Sequence, residues 1–261
     1  MASVICKSEG IVLRTTAFSE TSCVVNWLTP EFGKIATLIK GAFRPRGGFI
    51  GQFDSFFTCE ILFYHRFGGE VHVTREVTAL KTRESFRSDW RATACASYLT
   101  DLVARASPPE APHPEAFRLL DELLDELAAN GASVPLVFWF ELRLLESLGL
   151  APQFTRCIRC GRELSPQDRG VKFQPSHGGL ICGACEKTEV RDASPIAADV
   201  LATLSSWQRS QHPHAARRTQ CGGRQAGEIE NLLGAFLTYH LDMALPARRI
   251  CFDLLARKPG R

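Results

Sequence analysis

Two pairs of cysteines constrain this chain more than any other feature of its sequence. Each pair has the spacing Cys-x-x-Cys, and 21 residues lie between Cys160 and Cys182. Both sulfurs of such a pair can bind one ion, and the intervening residues are long enough to fold back as a hairpin. Tetrahedral four-thiolate zinc sites are built in this way. The pattern therefore predicts one zinc ion bound by Cys157, Cys160, Cys182 and Cys185.

We expect this zinc ion to be structural, within a module over residues 153–192. A site closed by four thiolates has no open coordination position for water or substrate. A pair of redox dithiols is the alternative interpretation, but redox chemistry needs only one Cys-x-x-Cys. Four thiolates and Zn²⁺ carry a net negative charge that nearby cations can offset. The basic residues around the module are Arg156, Arg159, Arg162, Lys172 and Lys187.

The composition is that of a protein with a sizeable core and free thiols. Of the 261 residues, 45% are hydrophobic, and most of the six further cysteines stand in apolar surroundings. The first ten residues lack the apolar stretch of a signal peptide, and the apolar run at 134–140 is too short to cross a membrane. We therefore expect a cytoplasmic protein that does not enter a membrane.

Charge is distributed unevenly along the chain. Residues 1–88 carry 11 Lys and Arg against 8 Asp and Glu, residues 89–150 carry 4 against 10, and residues 151–261 carry 16 against 10. The basic ends favour an anionic partner such as nucleic acid, although an ordinary solvated surface has the same charges.

Residues 1–82 have the composition of a small β-barrel domain. Five segments are rich in β-branched and aromatic residues, and several alternate between apolar and polar side chains. Five antiparallel strands in about 80 residues are typical of the OB fold, with an SH3-like barrel as the competing interpretation. The predicted strands are 4–13, 22–29, 34–40, 53–64 and 70–80.

A glycine-rich, basic loop over residues 41–51 joins the third and fourth predicted strands. Together with Lys34 and Lys40 it offers cations for phosphates, and Phe43 and Phe49 offer flat rings for exposed bases. The alternative is a solvated loop with both phenylalanines in the core.

The rest of the chain is predicted to form an α-helical domain in two parts, 83–152 and 193–261, on either side of the zinc module. Apolar residues recur at helical spacing throughout these parts. The overall fold class is therefore α+β. The predicted helices are 89–106 with a Ser88 cap, 114–129, 134–148 with a Ser133 cap, one that begins at Ser194-Pro195 and continues to 207, and 227–245, with 209–224 as a mobile loop.

Sequence motifs for catalysis are missing. There is no G-x-S-x-G, no P-loop and no G-x-G-x-x-G. His113-Pro114-Glu115 followed by a Cys-x-x-Cys is similar to the zinc-deaminase signature, but Arg156 and Ile181 precede the two cysteine pairs where that signature has proline. We therefore expect a binding protein rather than an enzyme. A zinc-dependent nucleic-acid-modifying enzyme is the alternative, and a zinc-ribbon RNA or transcription factor is a third reading that lacks the helical body.

Several short motifs, in this order, resemble the RecO family of bacterial recombination mediators over almost the whole chain. The resemblance is carried by Glu9-Gly10-Ile11-Val12-Leu13-Arg14, Glu20, the run from Leu28 to Ile35, Lys40-Gly41-Ala42, the run from Phe140 to Leu145, Leu148 to Pro152, the four cysteines and Tyr239-His240-Leu241.

The resemblance implies a protein without covalent chemistry that binds single- and double-stranded DNA and anneals complementary strands. Such proteins work with RecR, engage the acidic C-terminal tail of single-strand binding protein, and help to load RecA. A nucleoid-associated location follows from this role. By position, the family's basic OB surface maps onto Arg14, Lys34, Lys40, Arg44 and Arg46. The chain has Gly47-Gly48 where the family usually has a serine and a further basic residue, which reduces the charge of the loop.

A docking site for the acidic tail is predicted near the end of the chain. An acidic peptide with apolar terminal residues needs an apolar groove rimmed by cations. Arg248 and Arg249 stand beside Ile250 and Phe252, so we expect them to bind this partner. The alternative is that both arginines extend over a helix end.

Overall fold

The computed structural model describes residues 3–185 and 192–257. They fall into two compact units, Met1–Gly131 and Ala132–Arg261. The first unit contains β1 (Ser3–Ala17), β2 (Cys23–Thr29), β3 (Gly33–Ile39), β4 (Thr58–Arg66), β5 (His72–Lys81), α1 (Trp90–Ala106) and α2 (Pro114–Asn130). The second contains α3 (Val134–Ser147), β6 (Gln153–Cys157), β7 (Lys172–Gln174), β8 (Gly179–Ile181), β9 (Ser194–Pro195), α4 (Ala198–Arg209), α5 (His214–Arg218), α6 (Gly223–Leu241) and α7 (Pro246–Ala256).

Within residues 3–81, five strands close into a barrel in the order β1-β2-β3-β5-β4. The predicted five-stranded OB-type domain is thus confirmed. The expectation that every strand pair is antiparallel was wrong, because β3 and β5 run parallel through Thr37 with His72 and Leu38 with Val73. An odd number of strands cannot alternate in direction all the way around a closed ring. One neighbouring pair must therefore be parallel, and here it is the pair that closes the barrel.

Alternation along the strands sends one set of side chains into the barrel. In β3, Ile35, Thr37 and Ile39 are buried while the residues between them are partly exposed. Trp27 lies fully inside, where its indole N–H donates a hydrogen bond of 2.8 Å to Thr37 Oγ1. This pairing satisfies the polar atoms of the core, which would otherwise cost free energy.

Two strand boundaries differ from the predicted ones by more than two residues, for local reasons. The first strand continues to Ala17 because a bulge between Val12 and Arg14 bends it around the barrel. The fourth begins at Thr58 rather than at 53, because Phe56 has a positive φ of 67° that ends the extended conformation.

Helices α1 and α2 complete the first unit. Asp89, rather than Ser88, caps α1, since its carboxylate accepts hydrogen bonds of 3.0 Å from the N–H groups of Arg91 and Ala92. Helix α2 ends at Asn130, one residue beyond the predicted end, and Gly131 is its C-cap residue.

The acidic face of α2 binds the barrel. Arg83, whose side chain is buried, donates to Asp125 at 2.7 Å and to Asp121 at 2.6 Å, and Lys81 reaches the same two carboxylates. Burial raises the pKa of Asp121, but hydrogen bonds from Lys81, Thr58 and Arg83 outweigh burial and lower that pKa below its ordinary value. This ion cluster joins the end of β5 to α2.

In the second unit, α3 is the buried central helix. Trp139 lies in the core, and its indole N–H donates to the Ser210 carbonyl at 3.1 Å. Ser133 is the N-cap residue of α3, as predicted, although its hydroxyl makes no capping hydrogen bond. Among residues 3–185 and 192–257, none of the helices combines the length and apolar character that a membrane span requires.

The C-terminal helices depart from prediction at three places. Ser194-Pro195 forms β9, paired with Lys172 and Phe173 of β7, and the helix starts later, at Ala198. The predicted loop 209–224 contains the short helix α5. The predicted helix 227–245 corresponds to α6, which runs from Gly223 to Leu241 and ends there because Asp242 takes a left-handed φ of 47°. Pro246 then opens α7, a further helix that was not predicted.

Candidate functional site

Strand pairing brings the two cysteine pairs together. Strands β6 and β8 run parallel, with Cys157 opposite Leu180, so Cys157 and Cys182 emerge from the same end of the sheet. A tight turn follows each of them: the N–H of Gly161 donates to the Cys157 carbonyl, and that of Cys185 donates to the Cys182 carbonyl, both at 2.9 Å. The second cysteine of each pair is thereby folded back towards the first.

The four sulfurs fit a tetrahedral zinc ion. Their Sγ atoms all lie within 4.8 Å of one another, and those of Cys160 and Cys182 are 3.9 Å apart. Zinc–sulfur bonds of about 2.3 Å place tetrahedral thiolates about 3.8 Å apart, so little movement is needed to bind the ion. The structure therefore assembles the predicted metal ligands.

The local electrostatics also favour a cation. Burial raises the pKa of Cys157, but hydrogen bonds from the backbone N–H groups of Cys160, Cys182 and Arg159 outweigh burial and lower the pKa to about 6. Hydrogen bonds to the neighbouring sulfurs raise the pKa of Cys185 to about 12. Four thiols so close together cannot all lose their protons unless a metal ion compensates the charge.

The arginines around the module bind other groups. Arg156 pairs with Glu163 at 3.0 Å and Arg162 with Asp168 at 2.9 Å, while the Arg159 guanidinium reaches the Cys185 carbonyl at 3.5 Å. Residues 186–191 of the predicted module, which include Lys187, lie outside the described residues. Carboxylates of the module itself thus largely neutralise the described arginines.

A second cluster of metal-binding residue types lies at the barrel rim. His65, His72 and Glu110 bring their ligand atoms within 4.8 Å of one another. The Arg66 N–H, however, donates to His72 Nδ1 at 3.2 Å, so the ring proton belongs on Nε2, the nitrogen that faces Glu110. A metal-binding Nε2 needs a free lone pair, so we assign no ion to this cluster.

The barrel exposes the predicted DNA-binding cations in two different settings. Arg14 and Lys34 line one surface cavity of about 510 Å³ together with Asn26 and residues of α1. Arg14 is exposed. Lys34 is half-buried, and its Nζ donates to the Ala104 carbonyl near the C-terminus of α1 at 2.5 Å. Burial lowers the pKa of Lys34. Lys34 therefore caps a helix as well as carrying charge.

The loop between β3 and β4 carries the other three cations. Lys40, Arg44 and Arg46 are exposed, and Phe43 exposes half of its surface, whereas Phe49 packs against the barrel core. Of the two phenylalanines, only Phe43 is thus available to a ligand.

Backbone hydrogen bonds hold the start of this loop against the loop between β1 and β2. The Phe43 N–H donates to the Thr21 carbonyl at 3.1 Å, and the Gly41 N–H to Ser22 Oγ at 3.3 Å. Gly47, where the resemblance predicts a serine, closes a turn on the Arg44 carbonyl at 2.8 Å. A Cβ there would lie 2.9 Å from the same oxygen. The glycine therefore allows this tight turn, which a residue with a side chain would not fit.

Both units match family models of recombination protein O. The model "Recombination protein O N terminal" matches residues 1–83, and "Recombination protein O C terminal" matches residues 87–249. The DNA repair protein RecO of Anaeromyxobacter sp. (strain K) is 33% identical over 251 residues, which cover 95% of this chain and 96% of the relative. That of Syntrophus aciditrophicus (strain SB) is 30% identical over 249 residues, 95% of each chain.

This chain belongs to the RecO family. The RecO relatives that it matches along almost their whole length are named DNA repair proteins. The family resemblance inferred from the sequence is therefore confirmed.

The two arginines predicted to bind a partner have different environments in this RecO-family chain. The Arg248 side chain is 8% exposed, and it binds both carboxylate oxygens of the fully buried Glu141 at 2.7 and 3.1 Å. Its guanidinium also donates to the Glu230 carbonyl and lies over the Phe252 ring. Arg249 is 87% exposed. A ligand at the surface can therefore reach Arg249, whereas Arg248 holds α7 to α3.

Proposed function

We propose that this RecO-family protein is a recombination mediator in DNA repair. It binds single- and double-stranded DNA, anneals complementary strands, and with RecR helps to load RecA onto single strands coated by single-strand binding protein. It catalyses no covalent step. The observation that carries the proposal is the exposed basic loop of Lys40, Arg44 and Arg46, held beside a barrel of OB type.

The contribution of each cation to phosphate binding follows from its surroundings. Lys40, Arg44 and Arg46 are exposed and can move towards a phosphate at little cost. Arg14 is exposed at the edge of a cavity in which Asp101 already pairs with Arg105 at 3.6 Å, so Arg14 can add to the charge that the loop supplies. Lys34 contributes least, because it would have to leave the Ala104 carbonyl. DNA affinity should therefore depend mainly on the loop.

Zinc has a structural role in this proposal. Cys157, Cys160, Cys182 and Cys185 would hold one ion, which supplies a cross-link between the ends of β6 and β8. Because the four thiolates fill the tetrahedral coordination shell, the ion has no position for a reacting water, which argues against the alternative of a zinc-dependent nucleic-acid-modifying enzyme.

The partners follow from family membership and from charge. The acidic tail of single-strand binding protein needs an accessible cation, and Arg249 is the member of the predicted pair that offers one. RecR and, indirectly, RecA are the other partners. A protein with these partners works at the nucleoid in the cytoplasm.

The decisive experiment measures DNA binding and annealing together. Wild-type protein should anneal complementary strands coated with single-strand binding protein without any nucleotide. If about four phosphates are neutralised, log K for single strands should fall with log salt at a slope of roughly −3. Lys40→Ala with Arg44→Ala should weaken binding to every sequence alike and flatten that slope by about 1.4.

The control removes the same two residue types from other exposed positions of the same unit. Lys7→Ala with Arg87→Ala should leave the slope unchanged, because Lys7 pairs with Glu60 on the β1–β4 side of the barrel. Equal slopes in wild type and in the Lys40 and Arg44 double variant would place the footprint elsewhere. Failure of the wild type to anneal coated strands would refute the mediator role.

A further inference from the structure

One row of side chains on the outside of the barrel consists of three half-buried apolar residues and a threonine. Thr16 pairs with Val24, Val24 with Leu38, and Leu38 with Val73, so these residues lie side by side across β1, β2, β3 and β5. Directly opposite residues of paired strands point to the same face. Their neighbours Val25 and Ile39 are buried in the core, so the row faces outward. An apolar row that faces outward is unusual on a barrel, and it is a candidate surface for a bound ligand.

A shallow groove of about 180 Å³ lies over this row. Phe18 from the β1–β2 loop and Val71 from the β4–β5 loop line it, together with Val24, Leu38, Val73 and Arg66. Among the described residues that line the groove there is no carboxylate. Arg66 lines the groove and is exposed, and the exposed Lys40 follows the groove residue Leu38 by two positions along the chain.

Phe18 presents its ring to solvent on a turn that is already ordered. It is 67% exposed. Its N–H donates to the Ser22 carbonyl at 2.9 Å, and the same turn is bonded to the basic loop through Thr21 and Ser22. A flat, exposed ring on an ordered turn loses little entropy when a ligand stacks on it.

We propose that Phe18 is a stacking platform for an unpaired base of single-stranded DNA, with the apolar row as its floor and Arg66 and Lys40 on the adjoining phosphates. The assignment rests on the proposed DNA-binding function and gives the barrel a contact that only single strands can make. A base in a duplex is already stacked on its neighbours, whereas an unpaired base has a free face for an aromatic ring. The absence of carboxylates among the described lining residues fits an anionic ligand, and the apolar floor fits a base.

The test compares three fluorescent probes by anisotropy: a single-stranded thymine oligonucleotide, an abasic strand of the same length, and a blunt duplex. Phe18→Ala should bind the thymine strand on the order of tenfold more weakly and the other two probes as well as wild type does. Phe18→Trp should retain affinity, and Phe18→Leu, which is apolar but not flat, should lose it. Phe67→Ala is the matched control, since Phe67 is 63% exposed but packs on His65 outside the groove.

Each other outcome has a definite meaning. Unchanged binding of the thymine strand by Phe18→Ala, an equal loss on the abasic strand, or an equal loss in Phe67→Ala would overturn the platform while leaving the proposed function intact. No binding of any probe by wild type would overturn both. A dimer seen by sedimentation that Phe18→Ala abolishes, with DNA affinity unchanged, would assign the groove to a second copy of the chain and also overturn the platform.

Discussion

Removing the Arg248 guanidinium should strongly destabilise the unit Ala132–Arg261. Glu141, its partner on α3, has a side chain with no solvent exposure, and the two groups form a bidentate pair with N–O distances of 2.7 and 3.1 Å. Loss of one member of a buried pair leaves the other charge in a medium that solvates it poorly. The expected cost for Arg248→Ala is about 3–5 kcal/mol, which lowers the melting temperature by roughly 10 °C or more.

Two further variants separate the destabilisation caused by the unpaired Glu141 from the general effect of losing an arginine. Arg249→Ala removes the neighbouring guanidinium, which is exposed and 3.9 Å from Asp253, so it should change the free energy of unfolding by less than about 1 kcal/mol. Arg248→Met combined with Glu141→Leu removes both charges and should recover most of the loss, because apolar residues of similar volume can replace a buried pair.

Urea unfolding followed by circular dichroism measures all three variants against wild type. A loss below about 1 kcal/mol in Arg248→Ala, or a double variant no more stable than that single variant, would show that the carboxylate finds other solvation and would refute the reasoning. If Arg248→Ala is destabilised as expected, it cannot serve as a test of peptide docking. A variant that lacks Arg248 can lose binding by unfolding alone.

Four further predictions follow from single observations. Purified protein should contain one zinc per chain by metal analysis, and Cys160→Ser should lose the metal and become sensitive to protease within the zinc module, with DNA binding affected less than folding. The pKa of Asp121 is lowered in the folded state, so its stabilising contribution is present above the unfolded pKa of about 3.9 and is lost as the pH falls. The Asp121→Asn variant lacks this contribution, so its stability, followed by circular dichroism, should fall less steeply in acid than that of wild type. Gly33→Ala should destabilise the first unit by several kcal/mol in urea unfolding, because the φ is +65° and a Cβ would lie 2.0 Å from a backbone carbonyl oxygen, while Gly48→Ala, with open space around it, should not. Arg249→Ala should weaken binding of an acidic tail peptide in anisotropy measurements with the fold intact, and equal affinity would remove this residue from the site.

Local sequence patterns predicted those parts of the fold that depend on near neighbours. The alternation in residues 34–40 predicted β3 to within one residue at each end, because one face of the strand is buried by the barrel throughout. The cysteine spacing predicted the metal ligands, since two short turns and one pair of parallel strands are enough to assemble them. In both cases the chemistry of the residues themselves specifies the geometry.

Two differences between the predicted and the observed fold had signals in the sequence, and a third did not. Pro246 marked the start of α7, because proline favours the first helical turn, and it argued against a helix that continues to residue 245, directly before it. Asp89 was as good a cap as Ser88 and stood closer to the first buried residue, Ala92. Ser194-Pro195 has the composition of a helix start, but pairing with Lys172 and Phe173 gives its backbone an extended partner instead. Here tertiary contacts override a local preference.

Which cations remain available to a ligand depends on distant residues, and no pattern in the strand reveals this. Lys34 occupies a position that the resemblance assigns to the DNA surface, yet its Nζ binds the carbonyl of Ala104, 70 residues further along. Arg248 is adjacent to Arg249 in sequence, yet its partner Glu141 lies 107 residues earlier. A lysine or arginine that neutralises a helix end or a buried carboxylate has to break that contact before it can bind a phosphate or a peptide. We therefore expect the exposed set of Arg14, Lys40, Arg44, Arg46 and Arg249 to supply the charge that binds ligands, and we expect its members to be exchangeable without loss of the fold.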